Sequence, residues 1–107
     1  MLSKLDQVRN ALLSVTENVG HYEALNQTDK YIVWAEDGEG SSAEGDNYKL
    51  EQSIQGTIDY YTKDEDDPNA EGIQTALKAA RISFYLNAVQ YEDETQYIHF
   101  EWVFEVA

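Results

Sequence analysis

The most constraining feature of the sequence is an alternation of side chains near its C-terminal end. From position 98 to position 106, every second residue is large and apolar, and most residues between them are polar or charged. Successive side chains of a β-strand point to opposite faces of a sheet, so this pattern predicts a strand with one buried face. The buried row is the best core candidate in the chain: Ile98, Phe100, Trp102, Phe104 and Val106.

The N-terminal segment has the period of an amphipathic helix. Apolar residues recur there at steps of three and four, which predicts a helix over 3–18. Ser3 followed by Asp6 is typical of a capping box, in which side chains satisfy the first free amides. Gly20 is the predicted stop of this helix.

A second helix is predicted over 68–80. Asp67 has the position of its N-cap, and Pro68 that of its first residue. Three more strands are predicted: an apolar run with little free surface, a segment that alternates apolar and polar residues, and the first strand of the C-terminal hairpin. Gly56 within the second of them indicates a bulge or a close contact. These strands cover 31–35, 48–60 and 82–91.

The element order is helix, strand, strand, helix, strand, strand, and the last two strands are joined by a hairpin turn. This order predicts an α+β fold, a two-layer sandwich with a mainly antiparallel four-stranded sheet and two helices on one face. The length of 107 residues predicts a single domain over 1–107. The acidic, glycine-rich segment at about 36–47 lacks bulky apolar residues and is predicted to be a mobile loop.

Charge excludes several classes of function. The chain has 21 acidic and 7 basic residues, which give a formal net charge of -14. This charge disfavours binding to nucleic acid phosphates or anionic lipids through basic side chains. There is no Cys, so disulfides, thiolate zinc sites and a cysteine nucleophile are excluded. We expect neither a signal peptide nor a membrane span, and therefore a cytoplasmic protein.

The sequence offers little for catalysis or cofactor binding. The acid-rich segment 64–67 fails the spacing of a calcium loop, because Pro68 takes the third ligand position and Asn69 replaces the required Gly. His21 and His99 lie in different elements, and neither a phosphate-binding nor a nucleophile motif occurs. We therefore expect no enzyme, no metal and no cofactor; a carboxylate hydrolase or a calcium module is the least favoured class.

Aromatic residues exceed what one small sheet face can bury. The chain has eight Tyr, three Phe and two Trp, so part of this surface is predicted to contact other chains. The candidate interface residues are Tyr61, Tyr85, Tyr97 and His99.

Three segments together resemble a known family. They are WAEDGEG, QSIQGTIDYYTKDEDDPNAEGIQTAL and LNAVQYEDETQYIHFEWVFEV, and they are similar to small proteins of tailed phages and prophages of Gram-positive bacteria, encoded among head–tail joining and tail genes. The resemblance implies a siphophage tail terminator, a non-enzymatic protein that forms a hexameric ring on the tail tube. It implies contacts with copies of itself, with the tail tube protein and with a head-completion or connector protein. The implied location is the host cytoplasm during assembly and then the head–tail interface of the virion.

The acidic residues suggest how such a ring treats DNA. A lumen lined with carboxylates repels DNA and lets it slide without sticking. The candidate lumen or ring-edge charges are Glu36, Asp37, Glu39, Glu44, Asp46, Asp64, Glu65, Asp66 and Asp67.

Two alternatives stay open at this point. One is another morphogenetic role at the same head–tail joint. The other is an acidic DNA mimic that inhibits a DNA-binding protein by occupying its basic cleft. A DNA mimic is expected to be monomeric or dimeric and to compete with DNA, whereas a terminator is expected to form a ring.

Overall fold

The computed structural model describes residues 2–40 and 52–107. Two helices and one five-stranded sheet form an α+β fold, as predicted, but the sheet is mixed and has one strand more than expected. The strand order is β1-β2-β3-β5-β4, antiparallel throughout except for the parallel pair β1 and β2. The elements are α1 (Leu5–Leu13), β1 (Val19–His21), β2 (Lys30–Glu39), β3 (Ile54–Thr62), α2 (Asn69–Ala79), β4 (Ser83–Glu92) and β5 (Tyr97–Val106).

The prediction for the N-terminal segment was wrong at both ends. No side chain caps α1, and the Asp6 N–H instead donates to the Ser3 carbonyl oxygen at 3.1 Å. The helix ends at Leu13 because the polar and β-branched residues that follow favour other backbone conformations. Gly20 is not a helix stop but the middle residue of β1. This strand is only three residues long, which is too short for periodicity to reveal.

The first half of the predicted acidic loop is a strand. β2 continues to Glu39, with a bulge at Asp37, because Glu36 pairs with Gly56 and Gly38 pairs with Gln55. Backbone pairing with β3 therefore overrides a local composition that favours a loop. Positions 41–47 of the predicted loop lie outside the described residues, as do positions 48–51 of the predicted third strand.

The core lies between the helices and one face of the sheet. Trp34, Ile58 and Trp102 pair across β2, β3 and β5 and form its central row. Both helices pack on this face, as predicted. They contribute Leu5, Val8, Ala11, Leu12, Ile73 and Leu77.

The C-terminal alternation predicts the core correctly. Trp102, Phe104 and Val106 are buried, whereas Ile98 and Phe100 are only half-buried. The apolar face of β5 is therefore covered at one end of the strand and partly open at the other.

Gly56 has the close contact that the sequence predicts. A Cβ at this position would lie 2.1 Å from the Ala35 carbonyl oxygen and 2.7 Å from Phe104 Cε2. The associated bulge lies opposite Gly56, in β2.

We predict that Gly56→Ala destabilises the fold and that Gly38→Ala does not. The new methyl group at position 56 must displace backbone, which costs about 2 kcal/mol or more, whereas nothing lies within 4 Å of a Cβ at position 38. Urea unfolding of both variants measures the difference. Equal midpoints for the two variants would contradict the close contact.

Candidate interaction surfaces

Four aromatic rings gather on the helix-free face of the sheet. We call Tyr31, Tyr61, Tyr97 and His99 the tyrosine cluster. The Tyr61 ring stacks between those of Tyr31 and His99, with centroid distances of 4.7 and 4.2 Å. Tyr97 meets Tyr31 edge-on at 5.6 Å, and its hydroxyl donates to the Thr28 carbonyl oxygen at 2.6 Å. These contacts hold the rings in place. Tyr31 is buried, whereas Tyr61, Tyr97 and His99 are half-buried and present part of their rings to solvent.

Carboxylates fix the histidine of this cluster. His99 Nε2 lies 2.7 Å from Asp59 Oδ1, and His99 Nδ1 lies 3.7 Å from Glu92 Oε2. Burial raises the pKa of Asp59, although the hydrogen bond and the charge of His99 oppose this rise. Burial, followed by the negative charge of Asp59, raises the pKa of Tyr61 to about 12. Tyr61 therefore stays uncharged across the physiological pH range.

The structure brings three of the four sequence-predicted interface residues together. Tyr61, Tyr97 and His99 are in the tyrosine cluster. Tyr85 lies on the same face but pairs with Val103, which is four positions from His99 and so about 13 Å away along β5. Tyr31 was not among the predicted interface residues, because the apolar run in which it lies does not distinguish the two faces of β2.

The edge strand β4 exposes a second apolar surface. Leu86, Val89 and Tyr91 are 46%, 51% and 60% exposed, and Tyr85 is 58% exposed. Beside Leu86, an open depression of about 200 Å³ continues over Phe100 and Trp102 toward α2. Apolar surface of this kind on a sheet edge is typical of a protein contact.

The predicted lumen charges fall into two separate groups. Asp64, Glu65 and Asp66 are exposed and follow β3 at one end of the sheet. Glu36, Asp37 and Glu39 lie in β2 near the opposite end, six or more residues beyond Lys30, which is about 20 Å away. Glu44 and Asp46 lie outside the described residues.

Asp67 does not supply a surface charge. Its side chain is only 2% exposed and accepts hydrogen bonds from the hydroxyls of Tyr60 and Thr62. It also accepts a hydrogen bond from the Asn69 N–H at 2.9 Å, but α2 begins at Asn69 with Pro68 as its N-cap, one position later than predicted. Burial by itself would raise the pKa of Asp67, but these hydrogen bonds and the Lys30 charge outweigh it and lower the pKa.

Glu36 is also held by neighbouring side chains. Its Oε1 lies 2.6 Å from His21 Nε2, and its Oε2 accepts a hydrogen bond of 2.7 Å from the Tyr22 hydroxyl. Burial opposes ionisation of Glu36, but the hydrogen bonds from Tyr22 and His21 outweigh it and lower the pKa. Of the predicted lumen charges, Glu36 and Asp67 thus have hydrogen-bond partners that account for their lowered pKa values; Glu39 and Asp64 also have partners, Gln52 and Lys30.

Other kinds of site receive no support from the described ranges. Within 2–40 and 52–107, no three His, Asp or Glu side chains are grouped so that they could hold a metal ion. In the same ranges, no helix is long and apolar enough to cross a membrane.

Comparison with solved structures gives a likeness in fold. No known protein family and no curated protein match the chain. The fold is similar to that of a chain in the virion of a native gene transfer agent (GTA) particle, with a TM-score of 0.53 and 13% sequence identity. The alignment covers 96% of this chain and 89% of the virion chain. The two chains therefore share a fold over nearly their whole lengths.

We predict that Asp67→Asn destabilises the protein by about 2 kcal/mol at pH 7, because the hydrogen bonds that Asp67 accepts there are to a charged group. The folded-state pKa of Asp67 is lowered, so its stabilising contribution is present above the unfolded value of about 3.9. That contribution is lost as the pH falls through the folded-state pKa.

Urea unfolding of the wild type and the variant from pH 7 to pH 2 measures this effect. The difference between them should be largest at neutral pH and should shrink in acid. The double variant Glu65→Gln, Asp66→Asn is the matched control, since both side chains are exposed, and it should unfold like the wild type. A pH-independent difference would contradict a charged, hydrogen-bonded Asp67.

Proposed function

We propose that this protein is a virion structural protein of a tailed phage or prophage. The observation that carries the proposal is the shared fold with a chain of a gene transfer agent virion, which extends over 96% of this chain. Because a shared fold does not by itself determine function, the proposal also rests on sequence and surface features. The resemblance of three segments to small phage proteins from the head–tail joining region supports the same role.

The surfaces of the protein suit assembly better than catalysis. The tyrosine cluster and the β4 edge are aromatic and apolar, which is the composition that protein interfaces favour. The rings of the tyrosine cluster are held by stacking and by a hydrogen bond to backbone, so little side-chain entropy is lost when a partner covers them. We propose that the protein acts through such contacts and is not an enzyme.

Within the virion, we propose the role of tail terminator. In this role six copies form a ring on the end of the tail tube, stop its growth and join it to the head. The partners are other copies of the chain, the tail tube protein and a head-completion or connector protein. The exposed acids Asp37, Glu65 and Asp66 are proposed to face the lumen or the edge of the ring, where they repel passing DNA.

Deletion of the gene from its phage or prophage tests this function. Without a terminator, tail tubes lack their cap, so electron microscopy of induced lysates should show tails of irregular length beside unattached, filled heads. Plasmid-borne wild-type protein should restore particles of normal length. Particles that are intact and infectious after deletion would overturn the structural role. If the particles are normal but a DNA-binding enzyme of the host is no longer inhibited, the DNA mimic would be favoured instead.

We predict that neutralising the exposed acids affects assembly but not folding. The triple variant Asp37→Asn, Glu65→Gln, Asp66→Asn removes three exposed charges and should unfold at the wild-type urea concentration. In the complementation assay its yield of infectious particles should fall about tenfold, because DNA passing a less acidic lumen is repelled less. An unchanged yield would contradict a role for these charges in the lumen.

A further inference from the structure

β4 is a long and open edge of the sheet. It has ten residues and pairs on one side only, with β5. The opposite edge, β1, has three residues and so offers little backbone for pairing. A long edge strand with exposed apolar side chains is a template for addition of another strand.

A bulge places the apolar residues of β4 on one face. Leu86 pairs with Trp102 and Ala88 pairs with Glu101, so Asn87 is an extra residue. As a result, residues on both sides of the bulge point toward the helix side of the sheet, where α2 lies. Without the extra residue, the two halves of the strand would present their apolar side chains to opposite faces. The four residues on the helix side are Phe84, Leu86, Val89 and Tyr91.

This arrangement is symmetric along the strand. A two-fold axis between Asn87 and Ala88 would pair the two copies of β4 antiparallel. Each residue then lies opposite the residue of the other copy for which the two residue numbers add up to 175. The helix-side pairs are then Phe84 with Tyr91 and Leu86 with Val89. On the helix-free side, Tyr85 faces Gln90. Every directly opposed pair joins two residues of the same face, which antiparallel pairing requires.

Charges at the two ends of β4 are complementary under the same axis. Lys78 and Arg81 precede the strand, Glu92 ends it, and Asp93 and Glu94 follow it. Antiparallel pairing brings the basic end of one copy beside the acidic end of the other. The strand therefore complements itself in apolar pattern and in charge, although the whole chain has a net charge of -14.

We propose that two free copies of this protein pair antiparallel through β4, about a two-fold axis between Asn87 and Ala88. The two sheets then form one continuous ten-stranded sheet. The contact covers the exposed side chains of Leu86, Val89 and Tyr91. The inference goes beyond the proposed function, because a head-to-tail ring joins unlike surfaces. The β4 contact is isologous and so differs from the head-to-tail contacts of the proposed ring.

Disulfide trapping tests the register directly, because the natural chain has no Cys. Tyr85→Cys and Gln90→Cys alter two exposed positions, which keeps the fold intact. Directly opposed Cα atoms of antiparallel strands are about 4.5–5.5 Å apart, within the range that a disulfide spans. An equimolar mixture of the two variants, with oxidised glutathione as the oxidant, should therefore form the mixed disulfide dimer.

Each cysteine variant alone is the matched control. Position 85 lies five residues from its symmetry mate, about 17 Å along the strands, and a disulfide cannot span this distance. Each variant alone should thus stay uncrosslinked. Equal crosslinking in the mixture and in the single variants, or none in the mixture, would overturn the proposal.

A second measurement does not depend on introduced cysteines. Native mass spectrometry of the wild type should show a dimer at micromolar concentration, and Leu86→Ser with Val89→Ser should weaken it about tenfold or more. A wild-type protein that stays monomeric would overturn the proposal. A hexamer without the 85–90 crosslink would overturn it as well, while supporting the proposed ring, so the two proposals fail separately.

Discussion

The two helices are shorter than the sheet they cover, and most features of the surface follow from this mismatch. α1 has 9 residues and α2 has 11, which correspond to lengths of about 14 and 17 Å. The strands of the β4–β5 hairpin have ten residues each, or about 33 Å. Helices of this size bury the row of Trp34, Ile58 and Trp102. They leave the far half of the hairpin uncovered.

The same mismatch in length explains why some large apolar residues are buried and stabilise the fold while others stay exposed. Burial of the central row supplies the folding free energy, whereas the uncovered residues on β4 contribute little to the isolated chain. Large apolar side chains on an edge strand are an aggregation hazard for a monomer. Their presence is consistent with the proposal that other chains complete the surface of this protein.

Local pattern predicts the elements that local physics determines. The strand β5 and the start of α2 near Asp67 and Pro68 could be predicted from the sequence, because side-chain period and helix-start preferences are local properties. β1 and the Glu36–Glu39 part of β2 were not, since these segments are strands only through pairing with distant residues. The acidic composition of 64–67 also predicted that Asp67 is a surface charge. Its side chain is instead buried, because the hydroxyls of Tyr60 and Thr62 in β3 donate hydrogen bonds to it.

The candidate surfaces were predictable to a similar extent. Strand parity places Tyr61 and His99 in neighbouring strands on one face, once the register between β3 and β5 is known. The bulge at Asn87 determines which side chains of β4 share a face. No residue type in that segment predicts a bulge. The two-fold pattern of the strand is therefore visible only in the structure.

The copy number of this chain in purified particles tests the central claim, a structural role in the virion, most directly. Quantitative mass spectrometry against an isotope-labelled standard measures it in particles freed of host protein by density-gradient centrifugation. A single terminator ring predicts about six copies per particle, retained after a high-salt wash. Absence of the chain from infectious particles would contradict the account.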